Sequence, residues 1–283
     1  MTSLSGSAKS IYNDILEDIE KNRLPLPTQP RIAIAIQELC ENPNVTIDEL
    51  NEVIGQDPAL TARIIRIANS PLVRGRVTIN TLKTAISRLG SSFVANMAIG
   101  LAMEQLFYAK NKVIEEKMRQ AWQHSGEVAA ASYAIAAHLK TFAPEEAMLA
   151  GLLHEIGMLP ILTYAEHHKS LLQNLDTLET LIHQFRAELG EAILTSWQFP
   201  RYIAEVPRNL PNLYREMEKP DLADIVLVAK IYALRGTQHP FTQLNFAEMP
   251  AYARLNLDPA KQDFSDNEKL QTELADAQHL FAA

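Results

Sequence analysis

The spacing of apolar residues constrains the fold of this chain more than any other feature. Between residues 10 and 235 apolar side chains recur every three or four positions, as at Ile11, Ile15 and Ile19, which places them on one face of an α-helix. Proline and glycine divide the periodic stretches into short helices. No stretch alternates apolar and polar residues over a strand's length between turn signals. The sequence therefore predicts an all-α fold.

Local signals predict where helices begin and end. Thr46 with Glu49 forms a capping-box pattern, and Asp57 before Pro58 is a typical helix start, which makes a cap a better reading of Asp57 than a catalytic acid. Small residues in the long helix after residue 115 permit close helix packing. Helices are predicted at 10–21, 32–41, 47–54, 58–68, 81–89, 91–108, 115–140, 144–157, 175–189, 190–197, 221–235 and 267–281.

Composition excludes several classes of protein. The chain has 283 residues, of which 47% are apolar, so it can bury a large core. Cys40 is its single cysteine, which excludes an internal disulfide and a CxxC metal ribbon. Residues 1–10 lack the apolar segment of a signal peptide, and the most apolar stretch, 94–103, is far shorter than the ~20 residues that span a bilayer. We expect a cytoplasmic protein that does not associate with membranes.

Charge is distributed unevenly. The net charge is −8, but residues 61–90 hold six basic side chains and no acidic one, so the remainder of the chain sums to −14. A basic face in an acidic protein can attract an anion, although its arginines can equally pair with acidic neighbours. Residues 46–68 also have the outline of a helix-turn-helix, which keeps nucleic-acid binding open. The candidate anion-facing or partner-facing residues are Arg63, Arg66, Arg74, Arg76 and Arg88.

One constellation has the composition of a catalytic metal site. His124 is followed thirty residues later by His154 and Glu155. Imidazoles and carboxylates can hold a divalent ion, which acidifies bound water and polarises a phosphoryl oxygen. The alternative is that these side chains bridge helices or form a hydrogen-bonded core pair. The chain has no GxxxxGK[ST], GxGxxG or GxSxG motif, so the corresponding chemistries have no sequence support.

Four segments of the first half carry a family resemblance: LPLP at 24–27, DPALT at 57–61, IANS at 67–70 and AISRLG at 85–90. Together they resemble the HDOD family, the "HD-related output domain" of bacterial signalling proteins, over roughly residues 20–235. The resemblance implies one domain over residues 1–236 with two helical lobes, 1–110 and 111–236, the second a degenerate HD-superfamily core. An irregular tail with a short helix is expected at 237–283. The groove between the lobes is the expected ligand or partner site.

The second half resembles the HD superfamily of metal-dependent phosphohydrolases, but incompletely. His124 and His154 match that family's first two metal ligands, and Glu155 stands where its aspartate would be. Lys230 falls near the position of the final aspartate, and Arg186 takes a histidine position in FRAELG at 185–190. A cation at a ligand position repels a metal. We therefore expect His124, His154 and Glu155 to be remnants, with no metal, no cofactor and no catalysis.

The predicted function is a non-catalytic output or scaffold domain of signal transduction. Its expected ligand is another signalling protein, with a nucleotide or other small anion left open. A metal-dependent phosphohydrolase or phosphodiesterase is the alternative, and a nucleic-acid-binding regulator is a second alternative.

Overall fold

The computed structural model describes residues 2–21, 24, 27–71, 75, 77–237, 239–261, 264, 267–277 and 281. The described residues form helices and contain no strand, which confirms the all-α prediction. The first half contains α1 Thr2–Glu20, α2 Arg31–Cys40, α3 Ile47–Gly55, α4 Pro58–Ala68, α5 Leu82–Leu89 and α6 Ser91–Ala102.

The second half contains the longest helices. Its elements are α7 Lys112–Leu139, α8 Pro144–Leu153, α9 Met158–His167, α10 Lys169–Leu172, α11 Leu175–Ser196, α12 Arg201–Ala204, α13 Val206–Asn209 and α14 Leu222–Ala233. Two more helices, α15 Pro250–Arg254 and α16 Glu268–Ala277, lie in the segment expected to be an irregular tail. Single 3₁₀ turns occur at Met103–Leu106, Pro240–Gln243, Phe246–Glu248 and Pro259–Lys261.

Helix caps form where the sequence predicted them. The Thr46 hydroxyl accepts from the Glu49 amide, and the Glu49 carboxylate accepts from the Thr46 amide, which completes the capping box of α3. The Asp57 carboxylate accepts from the Leu60 amide at 3.0 Å and caps α4. The side chain of Asp57 is therefore engaged in capping the N-terminus of α4.

The packing of α7 against α8 forms the centre of the second half. A Cβ atom at Gly151 would lie 2.6 Å from the Ala129 Cα, so only glycine allows this approach of the two backbones. Next to this contact α7 also packs against α14 and α16. The small residues of α7 therefore do what the sequence suggested, which is to permit close helix packing.

Contacts between the two halves begin with α1. The Tyr12 ring stacks on Phe185 of α11 with 3.7 Å between ring centroids, and the Tyr12 hydroxyl donates to Glu188 at 3.2 Å. Helix α6 packs against both α2 and α8, so it connects the first half to the α7–α8 pair. The division into lobes at about residue 110 stays a prediction.

Two helix boundaries differ from the sequence prediction. The helix predicted from residue 144 through Gly157 ends at Leu153, and a turn at 154–157 leads into α9. Conversely, α11 runs without a break through Gly190, where two helices were predicted. A Cβ at Gly190 would lie 2.8 Å from the Pro207 ring, so this glycine serves packing against α13 and does not end a helix.

One stretch of the described residues, Pro144–His167, is long and apolar enough to cross a membrane; it comprises α8, the turn at 154–157 and α9. The most apolar 18 residues of this stretch are 89% buried inside the protein. Its apolar side chains therefore belong to the core of the fold.

Candidate functional site

Four structural elements bring the candidate metal residues and the two departures from the HD pattern to one buried centre. His124 comes from α7, His154 and Glu155 from the turn after α8, Arg186 from α11 and Lys230 from α14. The centre adjoins a cavity of about 220 Å³. The outermost of these residues, His124 and Lys230, are 106 positions apart, so tertiary packing assembles the centre.

The two histidines face each other across this centre. Their ring centroids are 5.8 Å apart, and ligand atoms of His124, His154 and Glu155 all lie within 4.8 Å of one another. The His154 Nδ1 lies 2.7 Å from the Gly151 carbonyl oxygen. Because a carbonyl only accepts, Nδ1 carries the proton and Nε2 presents a lone pair. The sequence prediction thus named three side chains that do lie together.

The Nε2 atoms of both histidines are buried without a hydrogen bond. Glu155 Oε1 lies 3.2 Å from the His154 Nε2, but two acceptors facing each other form no hydrogen bond. Burial first, and then the charge of Lys230, lowers the pKa of His154 to about 4. The imidazole of His154 is therefore neutral at neutral pH.

Both carboxylate oxygens of Glu155 accept from cationic side chains. Lys230 Nζ donates to Oε1 at 2.5 Å, and Arg186 Nη1 donates to Oε2 at 2.9 Å. Glu155 and Lys230 are 3% and 4% exposed, so this is a buried ion pair. Burial alone raises the pKa of Glu155, but Lys230 and then Arg186 hold that pKa well below its ordinary value. Glu155 is ionised and fully paired.

The charges at this centre do not suit a divalent metal. A metal would need an oxygen of Glu155, and both oxygens already bind cations. One carboxylate against two cations leaves the centre positive while His154 is neutral. Adding a divalent ion would require Lys230 to leave a buried position or to lose its proton. The residues present do not fit the metal that the HD superfamily binds.

Gly157 fixes the position of Glu155 relative to α11. A Cβ atom at Gly157 would lie 1.8 Å from the Arg186 carbonyl oxygen and 2.5 Å from the Gly190 amide nitrogen. The turn after α8 can therefore rest directly on the α11 backbone only with glycine at this position. That contact places the Glu155 carboxylate within reach of the Arg186 side chain.

The five candidate anion-facing arginines do not form a single free surface in the described part of the chain. Arg63 donates to Glu104, and Arg88 donates to the Val77 carbonyl oxygen at 2.7 Å. Arg66 is exposed, while Arg74 and Arg76 lie outside the described residues. Their role in binding an anion or a partner stays a prediction.

A larger cavity, of about 760 Å³, lies between α2 and α6 on one side and α8 and the 196–203 segment on the other. The sequence predicts a groove between the two halves but does not indicate which residues line it. The amphipathic pattern of α2 could have indicated its polar face, which carries Gln37, Glu38 and Glu41. The opposite wall, at Trp197 and Tyr202, gives no such signal because it is distant in sequence.

The chain is similar to known proteins in sequence and in fold. The family model named HDOD domain matches residues 26–211. An uncharacterised protein of Treponema pallidum (strain Nichols) is 22% identical over 238 residues, which are 77% of this chain and 44% of that protein. The chain therefore spans less than half the length of this relative.

Solved structures share the fold. A Shewanella amazonensis SB2B protein, provisionally named a metal-dependent phosphohydrolase, is 26% identical, with a TM-score of 0.84 and coverage of 97% of this chain and 99% of that one. An HDOD domain protein of unknown function from Geobacter sulfurreducens is 22% identical, with a TM-score of 0.71 and coverage of 95% and 98%. A provisional signal transduction protein from Marinobacter aquaeolei VT8 is 20% identical, with a TM-score of 0.66 and coverage of 98% and 66%.

Proposed function

The chain belongs to the HDOD domain family, and from this premise we propose that it is a non-catalytic output domain of signal transduction that acts by binding another protein. The observation that carries the proposal is the pairing of both Glu155 oxygens with Lys230 and Arg186. In this arrangement the cations neutralise the carboxylate that a metal would need. The centre then serves as a buried ionic connection among α8, α11 and α14.

The metal-dependent phosphohydrolase remains the second candidate because one observation favours it. The Nε2 lone pair of His154 has no hydrogen-bond partner among the described residues, and His124 and Glu155 lie beside it. The similar Shewanella protein also carries a phosphohydrolase name. Two imidazoles and a carboxylate are an established donor set for transition metals. The two candidate functions differ in whether Lys230 stays paired with Glu155 or is replaced there by a metal ion.

Metal content separates the two functions. The chelator-treated protein is incubated in turn with manganese, iron and zinc, passed through a desalting column and analysed by elemental mass spectrometry, and hydrolysis of bis(p-nitrophenyl) phosphate is followed in parallel. We expect only trace metal and no turnover. About one equivalent of metal with turnover, both lost in His154→Ala, would overturn the proposal.

A gain-of-function variant tests the reason for the missing metal. Lys230→Asp with Arg186→His removes both cations from Glu155 and adds two ligand groups, so we expect this double variant to bind metal where the wild type does not. Lys83→Asp, which makes the same Lys→Asp change at an exposed position of α5, is the control and should bind none. Circular dichroism establishes that each variant is folded. A folded double variant without metal would show that the two cations are not what excludes it.

A further inference from the structure

The cavity of about 760 Å³ is built by both halves of the molecule. The first half contributes α2 and α6, and the second half contributes α8 and residues 196–203. Its volume falls in the range of about 300–1,000 Å³ that is usual for ligand sites. We call it the inter-half groove. It is separate from the buried centre at Glu155, because the two cavities share no lining residue.

The charged side chains that the structure describes along the inter-half groove are all acidic. Glu38, Glu41 and Glu146 line it, and no lysine or arginine is among the lining residues that the structure describes. Glu38 and Glu41 form no ion pair within the described part of the chain. Glu146 accepts a hydrogen bond from the Tyr202 hydroxyl at 2.8 Å, which leaves its charge uncompensated. A cationic ligand would relieve the repulsion among these carboxylates.

Two side-chain amides, those of Gln29 and Gln37, line the groove beside the carboxylates. Gln29 lines the groove and is only 7% exposed. Its amide nitrogen donates to the Gln37 oxygen, and the Gln37 nitrogen lies 3.5 Å from the Trp197 carbonyl oxygen. Side-chain amides that line a cavity can donate to and accept from the backbone of a bound peptide.

Aromatic side chains stand beside these acceptors. Trp197 and Tyr202 line the groove, and Tyr202 is 49% exposed. Between them Gln198 adopts a left-handed backbone with φ of 58°, a conformation that glycine or asparagine would adopt at lower cost. Aromatic faces beside carboxylates suit a guanidinium group, which stacks on rings and forms paired hydrogen bonds with carboxylates.

We propose that the inter-half groove binds an arginine-containing peptide segment of a partner protein. A single guanidinium group would fill only a small part of the groove, whereas an extended segment can also use the amide groups of the half-buried Asn96 and the exposed Gln198 for its backbone. The inference rests on the proposed function, since it names where and what the domain binds.

Cys40 makes the test specific to this groove. It is the single cysteine of the chain, it is exposed, and it lines the inter-half groove. Acetylated Ala-Arg-Ala peptides with one cysteine, at the N- or the C-terminal end, are offered as symmetric disulfides over a series of reductant concentrations, beside matched peptides with citrulline or glutamate in place of arginine. The Cys40 thiolate forms a mixed disulfide with one peptide and releases the other as a thiol. Intact-mass spectrometry measures the captured fraction. Because all probes form the same bond, differences in capture report non-covalent binding.

We expect the arginine peptide to resist about tenfold more reductant than the citrulline peptide, and the glutamate peptide to be captured least. Glu38→Gln combined with Glu146→Gln should abolish this preference, and raising the salt concentration should reduce it. Glu52→Gln, on the exposed side of α3 and outside the groove, is the matched control and should leave the preference unchanged. Equal capture of the arginine and citrulline peptides by the folded wild type would overturn the assignment.

Failure of this inference can be told apart from failure of the proposed function. A protein that binds stoichiometric metal and hydrolyses phosphodiesters while still selecting the arginine peptide would overturn only the proposed function. A metal-free protein without peptide selection would overturn only the groove assignment. If free agmatine competes as well as the untethered Ala-Arg-Ala peptide, the ligand is a small cation and the peptide assignment is wrong.

Discussion

At the scale of single residues, Glu155 is the group on which the buried centre depends. Its neighbours His124 and His154 could be selected from the sequence because they match the first two metal ligands of the HD superfamily, which the second half resembles. The pairing of Glu155 with Arg186 and Lys230 could not be predicted in the same way, since the partners are 31 and 75 positions away. The resemblance to the HD pattern suggested which residues had changed, and only the packing shows that both act on one carboxylate.

Removing the charge of Glu155 should destabilise the protein strongly. Glu155→Gln leaves Lys230 buried without a charged partner, and we expect the free energy of unfolding in urea to fall by about 3–5 kcal/mol. The double variant Glu155→Gln, Lys230→Met should recover most of this loss. Glu116→Gln, which breaks the exposed pair with Arg119, is the control and should leave the free energy of unfolding almost unchanged. Equal losses at the buried and exposed pairs would contradict the assignment of a buried ion pair.

The neutral state of His154 predicts a specific dependence of stability on pH. Its pKa is about 4 in the folded protein and about 6.5 when unfolded. As the pH falls from 6.5 to 4, the unfolded state binds a proton that the folded state does not, so stability is lost in this window. We expect wild type to lose about 3 kcal/mol more than His154→Asn between pH 7 and pH 4, measured by urea unfolding of metal-free protein. Equal losses of stability in wild type and His154→Asn would contradict the prediction that His154 is neutral in the folded protein.

At the scale of helices, local signals predicted where a capped helix begins more reliably than whether a helix continues through a glycine. The caps at Thr46 and Asp57 depend on hydrogen bonds within four residues, so the sequence contains all the information they need. The predicted helix ends at Gly157 and Gly190 were wrong, because the sequence does not distinguish a glycine that ends a helix from one that permits a close contact. At both positions the contact is with another helix, α11 or α13, and sequence periodicity carries no information about it.

The close contact at Gly157 can be tested by adding one methyl group. In Gly157→Ala the new Cβ would overlap the Arg186 carbonyl oxygen, so the turn and α11 must separate. We expect a loss of about 1–3 kcal/mol or more in the free energy of unfolding, because overpacking against a backbone is not relieved by a rotamer change. Gly55→Ala, where nothing lies within 4 Å of the added Cβ, should be neutral or slightly stabilising. A neutral Gly157→Ala would show that the turn does not rest on α11.

At the scale of the whole molecule, the sequence predicted a groove between the halves but not its chemistry. The lining residues Gln29, Asn96, Glu146 and Trp197 come from four separate parts of the chain. None of them stands out in its own segment, since isolated amides and carboxylates on amphipathic helices are normally solvated. The negative character of the groove is therefore a property of the tertiary structure. The groove is negative, whereas the arginine-rich segment at 61–90, which contains the candidate anion-facing residues predicted from the sequence, is positive.

The C-terminal segment is the other feature that emerges only at this scale. The family match ends at residue 211, yet Arg215 and Arg254 both donate to the buried carboxylate of Asp224, so α15 is attached to α14 and to the segment preceding it. Tyr252 of α15 is 1% exposed, and Leu274 of α16 is buried in the region packed against α7. Sequence periodicity is weak here because these elements are short and separated by proline. Their apolar side chains nevertheless complete the core that surrounds α7 and α14.

This packing predicts that the C-terminal segment contributes directly to the stability of the whole domain. Tyr252→Ala removes a fully buried aromatic ring, and we expect the free energy of unfolding to fall by about 3–5 kcal/mol. The loss should appear in one cooperative transition monitored by far-ultraviolet circular dichroism, because α15 shares its core with α14. Tyr214→Ala, at a residue that is 51% exposed, is the matched control and should change stability by about 0.5 kcal/mol or less. If Tyr252→Ala instead left the main transition in place and only released α15 to proteolysis, the segment would be a separately folding appendage and the ion pairs of Asp224 would not couple it to the core.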